Sequence, residues 1–168
     1  MRTTIGVMLC AAALVSGCGT VSGQAEPENP TASDPAFDPC EDIPDEVIVE
    51  LGMDPATEGR DILGVHQPGW NICGWNDDSV AMTAYSARLP LSDVRLNTDY
   101  QDFQDIALDG QPALMFHSVE PISVRCYVAT GSHDGLLMVA FSVRNADDGD
   151  PCVRARDGAS EFRRYAGN

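Results

Sequence analysis

The amino-acid sequence predicts an α+β fold, an antiparallel sheet flanked by an N-terminal and a C-terminal helix. Three observations carry that expectation. Paired apolar runs are separated by turn residues at Asp77 and Asp78, at Asp109 and Gly110, and from Gly131 to Asp134, the pattern of successive hairpins. Ahead of them, Val47, Ile48 and Leu51 recur at helical spacing behind Pro44, Asp45 and Glu46. Behind them, Asp150 and Pro151 supply a helix cap and a first helical residue. Strands gathered between two helices imply a sheet with helices packed on it.

The chain starts with a segment of another kind. Residues 1–17 have the form of an export signal: Arg2 and the free amine, then the apolar run IGVMLCAAALV, then the small residues Ser16 and Gly17. That run is too short to stay in a bilayer as a spanning helix. Val15, Ser16, Gly17 and Cys18 together resemble the bacterial lipobox, in which the cysteine is diacylated and becomes the new N-terminus. Two or more acyl chains hold a protein stably where one would not. Cys18 is therefore the expected lipidation site, and the mature protein is expected on the extracytoplasmic face of the cell membrane. The lipidated Cys18 and the Gly-, Ser-, Pro- and acid-rich residues after it, 18–36, are expected to form a flexible tether, since they lack the apolar surface to offset ordering. The folded domain then covers 37–168.

Within the domain, DIPDEVIVELGMDP (42–55) is the first expected helix, with Gly52 ending it. Residues 55–69, rich in Gly, Pro and charge, are expected as a long loop. NICGWN (71–76) and SVAMTAYSA (79–87) form the first hairpin, and LSDVRLNTDY (91–100) a short helix capped by Ser92. The strands around Asp109 and Gly110 follow, the second weakened at its start by Pro112, which places it at an edge or with an unpaired amide. SVRCYVAT (123–130) and DGLLMVAFSVR (134–144) make the last hairpin. Apolar residues on both faces of the latter place it centrally. The C-terminal helix carries a weak stripe of Val153, Ala159 and Phe162.

Charge and cysteines narrow the function classes. With 26 acids against 10 arginines and no lysine, the formal net charge is -16, which repels phosphate backbones and anionic headgroups. Nucleic acid is excluded as a partner, and so is electrostatic docking on a membrane. Setting Cys10 and Cys18 aside leaves Cys40, Cys73, Cys126 and Cys152, an even set that suggests two disulfides in an exported domain. Three connectivities are open, of which 40–73 with 126–152 is favoured. No CxxC pair exists and the histidines lie far from the cysteines in sequence, so no metal site is expected.

Catalytic motifs are absent as well. GSHDG (131–135) holds Ser132, His133 and Asp134, but adjacent side chains cannot form a relay, and the stretch is expected as a turn. NADDGD (145–150) and the pair Asp77 and Asp78 lack a calcium-loop register. His66, His117 and His133 show no ligand spacing and are expected at or near the surface, while Trp70 and Trp75 are expected as core beside Cys73. No phosphate loop or dinucleotide fingerprint exists, so no cofactor is expected.

FDPC (37–40), LGMDP (51–55), CGW (73–75), DGQPA (109–113), Cys126 and DPC (150–152) stand in a familiar order. Residues 37 to about 165 resemble a family of small actinobacterial lipoproteins known as a domain of unknown function. The resemblance implies export, lipid anchoring, two disulfides and a sheet-and-helix domain similar to the Mog1/PsbP-like fold, and it carries no catalytic residues across. The expected function is a non-enzymatic envelope module that binds a partner protein or a cell-wall or lipid ligand. The alternatives are an extracytoplasmic hydrolase with a dispersed site, or a carrier of an apolar molecule in a cavity lined by Met82, Met115 or Met138.

Overall fold

The computed structural model describes residues 33–119 and 124–167. The export signal, Cys18 and the first part of the tether lie outside the described residues. Two short helices, α1 (Pro39–Asp42) and α2 (Asp45–Glu50), precede seven strands: β1 (Gly59–Arg60), β2 (Trp70–Asn76), β3 (Val80–Ala87), β4 (Tyr100–Leu108), β5 (Gln111–Ser118), β6 (Val124–Ser132) and β7 (Gly135–Val143). Helix α3 (Pro151–Arg163) closes the domain. The strands form one antiparallel sheet in the order β1-β2-β3-β7-β6-β5-β4. The α+β architecture is thus present, with helices at both ends of the chain.

Local chemistry explains the element ends, and in places it differs from the expectation. The single helix expected over 42–55 is two: α1 starts earlier, where the Asp38 carboxylate accepts the Cys40 amide at 2.9 Å and Pro39 takes the first turn. Pro44 then forces Ile43 into an extended conformation and breaks the run. The loop expected over 55–69 contains a 3-10 turn (Pro55–Thr57), the short strand β1 and a tight apolar tip in which Ile62 pairs with Val65. Residues 91–96 form a 3-10 helix entered from Pro90; Ser92 does not cap it but bonds to Asp93 at 3.2 Å. Pro112 sits at the start of β5, which is second from the sheet edge and not the edge itself; β4 lies outside it.

Strand alternation gives the sheet two apolar faces. The first carries Cys73, Trp75, Met82, Val128, Val139 and Phe141, covered by α1, α2 and α3. Helix α3 meets it through Ala155, Gly158, Ala159 and Phe162, whereas Val153, expected in the stripe, is exposed. Gly158 allows that close approach, because a Cβ there would lie 3.1 Å from Val139 Cγ1 and 3.2 Å from Phe141. Phe162 then reaches Trp75, edge to face at 5.9 Å, and full burial of such a ring contributes roughly 1.5–3 kcal/mol. The second face holds Leu114, Phe116, Tyr127, Leu136 and Met138 under Val94 of the 3-10 helix. Met82 and Met115 lie on the first face and Met138 on the second, so the three do not line one cavity.

Two disulfides staple these layers. Cys40 bonds to Cys73, tying α1 to β2, and Cys126 bonds to Cys152, tying β6 to α3. Residues 34–37, at the end of the expected tether, run along the sheet end. The Asp34 carboxylate accepts the Gly69 amide at 2.9 Å, and the Asn71 amide donates to the Pro35 and Phe37 carbonyls at 3.0 Å each.

Candidate functional site

The second face of the sheet gathers the polar groups that the core does not consume. On β6 the period of two puts Arg125, Tyr127 and Ala129 on this face, and the pairing of Tyr127 with Ala140 and of Arg125 with Ser142 brings β7 alongside. Tyr85 arrives from β3 on the other side of β7. Strand β4 contributes both Tyr100 and Phe103, an odd spacing that a regular strand would split between faces. A bulge resolves it: between Gln101 and Gln104 the register slips by one residue, with Asp102 at φ 56°, and Phe103 turns back onto the face of Tyr100.

These side chains pack as one aromatic raft. Phe116 and Tyr127 stack with centroids 5.1 Å apart, Tyr100 tilts against both at 4.7 and 5.0 Å, and Phe103 lies 5.1 Å from Phe116. Trp70 meets Tyr85 edge-on at 6.5 Å. Burial pushes the Tyr85 and Tyr100 phenols above the ordinary tyrosine range, so both keep their protons and remain hydrogen-bond donors.

Arg125 stands at the edge of this raft, half-buried. Its guanidinium donates to Ser142 Oγ at 2.5 Å and to the Tyr127 hydroxyl. Among the described residues, four other arginines reach carboxylates: Arg60 to Asp38 and Glu41, Arg95 to Asp105, Arg163 to Asp109 and Arg164 to Glu161. Arg125 pairs with no carboxylate among the described residues. In a chain of net charge -16, a cation placed on an apolar face without an acid is conspicuous. Phenol and guanidinium donors beside an apolar face can hold an anion.

The residues singled out from sequence are placed elsewhere and are not brought together. Ser132, His133 and Asp134 form the β6–β7 turn, with His133 Nδ1 3.0 Å from the Asp134 carboxylate. That contact, with the Ala36 amide, holds Asp134 below the usual carboxylate range. The NADDGD loop is a 3-10 turn in which Asp148 accepts the Ser79 hydroxyl at 2.8 Å and the Asn145 amide at 3.0 Å. Asp77 accepts the Asp78 amide within its own hairpin turn. Trp75 is buried in the first core, while Trp70 belongs to the second face.

One adjacency overturns an argument from spacing. His117, 35 residues from Cys152, lies with Nε2 3.4 Å from its sulfur, because β5 pairs His117 with Cys126. His117, Cys126 and Cys152 place their donor atoms within 4.8 Å of one another, as do Cys40, Glu58 and Cys73. In both sets the two sulfurs are bonded to each other, which removes them as metal ligands in this state.

The Arg125 cluster left no motif to find. VRCY was visible only as part of a strand, although the alternation of Arg125 and Tyr127 within an apolar strand was a signal that a polar group shares a buried face. A family model described as Protein of unknown function (DUF3558) matches residues 13–162. The chain belongs to the DUF3558 family. No curated protein and no solved structure matches it. The matched stretch covers the whole DUF3558 sheet, both disulfides and all but the last residue of α3. Among the described residues no helix is long and apolar enough to cross a membrane.

Proposed function

We propose that this DUF3558 protein is an envelope lipoprotein, exported by residues 1–17, acylated at Cys18 and tethered by the residues that lead from it to Asp34, whose domain is a non-enzymatic binding module. Its ligand carries a carboxylate or phosphate on an apolar or aromatic body, the shared chemistry of lipid headgroups and cell-wall fragments. The anionic group sits on Arg125, with the Tyr85 and Tyr100 hydroxyls as further donors, and the body lies against the half-buried Tyr100 and Phe103 at the rim of the aromatic raft. One observation carries the reading: the half-buried Arg125 has no carboxylate partner among the described residues. A desolvated cation costs stability unless an anion offsets it.

The test uses phenyl phosphate as ligand and benzyl alcohol as its uncharged counterpart, followed through tryptophan emission, since Trp70 touches Tyr85. Phenyl phosphate is expected to change the emission saturably, with Arg125→Gln weakening it about tenfold or more, the size of a charge-assisted pair. Equal responses to the two compounds, or an unchanged response in Arg125→Gln, would remove Arg125 from the reading. Acylation is checked separately by the mass of the N-terminal peptide and by Cys18→Ala, which is expected to release the protein from the membrane fraction or to block its processing.

A further inference from the structure

The tip between β1 and β2 exposes apolar side chains where a turn has no need of them. Ile62 is 52% exposed, Val65 63% and Leu63 98%. Leu63 also holds φ 55°, a conformation that side chains other than glycine and asparagine rarely adopt. The tip is nonetheless a defined structure: Ile62 and Val65 form a bridge, with the Val65 amide donating to the Ile62 carbonyl at 3.0 Å. Three branched aliphatic side chains held outward on a fixed turn form an apolar patch of the kind that marks an interaction site.

The route of the chain says what the tip faces. Asp34 is bound one and four residues beyond the tip, through His66 at 3.2 Å and the Gly69 amide, and Arg88 donates to its carbonyl at 3.2 Å. The segment leading back to Cys18 therefore leaves the domain beside the tip. Fourteen residues, 19–32, span at most about 50 Å, so a lipid on Cys18 keeps this end of the domain within that distance of its bilayer. The same sheet end, where β3 finishes and β7 begins, presents Leu89, and Tyr165 lines the recess there beside Ala36 and His133.

We propose that Ile62, Leu63 and Val65 dip into the lipid surface that holds the anchor, making the tip a second, reversible contact that fixes the orientation of the domain. This rests on the acylation of Cys18 proposed above for its geometry. Tethering raises the local concentration of lipid, so three side chains suffice for a contact that would be weak on its own. The acidic surface sets the preference: Asp34 and Asp61 beside the tip favour an uncharged lipid surface over an anionic one.

The full chain is placed on phosphatidylcholine vesicles whose acyl chains carry bromine, with Leu63→Trp, and separately Val65→Trp, as reporters. Leu96→Trp is the control, because Leu96 is 75% exposed on the 3-10 helix that covers the second face of the sheet. The emission that each tip reporter adds to that of Trp70 and Trp75 is expected to shift to the blue and fall several-fold with brominated chains, while that added by the control stays unquenched. Leu63→Asp is expected to lower vesicle binding of chain bearing Cys18→Ala by about tenfold or more, the cost of losing one buried leucine. Tip reporters that float with the vesicles yet quench no more than the control overturn the proposal. Should Cys18 carry no acyl mass, the anchor fails by itself, and quenching at high lipid concentration still decides the tip: its absence there overturns it too.

Discussion

Gly135 is the position where one methyl group should do most damage to this sheet. It opens β7 at φ 144°, and a Cβ there would lie 2.4 Å from the Ala87 carbonyl oxygen and 3.0 Å from both Arg88 Cα and Leu89 N. All three are backbone atoms at the end of β3, so no side chain can swing away. Gly135→Ala must part the two central strands at the pair of Ala87 with Leu136. Losing one or two ladder hydrogen bonds at about 1 kcal/mol each, plus about 1–3 kcal/mol for the strained backbone, gives a loss of about 3 kcal/mol. Gly110 is the internal comparison: it too has positive φ, 80°, but nothing lies within 4 Å of its Cβ position, and Gly110→Ala should cost only about 1 kcal/mol. In urea unfolding, with a slope of about 1.5 kcal/mol per molar, the midpoints should fall by about 2 M and about 0.7 M. If Gly135→Ala shifts the midpoint no further than Gly110→Ala, the close approach of β3 to β7 is not what limits this turn, and the reasoning is wrong.

Two further outcomes follow from the same structure. Replacing Cys40 and Cys73 together by alanine should lower stability by about 3.5 kcal/mol, the closure entropy of a 33-residue separation, and a loss under about 1 kcal/mol in urea unfolding would show that this loop is held by other contacts. The His66 imidazole is held above its ordinary pKa by its hydrogen bond to Asp61 and by Asp34, so its contribution is fully present below about pH 6.5 and lost as pH rises through the raised value. Wild type should therefore lose more stability than His66→Asn between about pH 6 and about pH 8, and equal losses would assign the effect to other groups.

What the sequence disclosed was local. Asp109 and Gly110 specify a tight hairpin with both residues at positive φ, and Asp150 with Pro151 specifies a helix start, because each acts within a few residues of itself. The buried face of α3 was less legible, since Ala155, Gly158 and Ala159 are too small to mark a stripe. Their smallness serves a close contact that only the sheet reveals. The cluster at Arg125 needed three facts no local pattern holds: β7 between β3 and β6, the slipped register at Asp102, and the pairing of Arg125 with Ser142. His117 came beside Cys152 through the same register dependence, against an argument from separation along the chain.

The bond between Cys40 and Cys73 also fixes how a pull on the N-terminus would travel. Tension entering at residue 33 loads the hydrogen bonds of Asp34 and Asn71, then crosses at Cys40 directly into β2, which seven paired residues fasten to β3. Once the hydrogen bonds of Asp34 and Asn71 yield, the rest of the covalent loop between Cys40 and Cys73 is bypassed by the load. Helix α2 and the apolar tip thus keep their shape under traction, and the sheet, with its long antiparallel ladders, takes the strain.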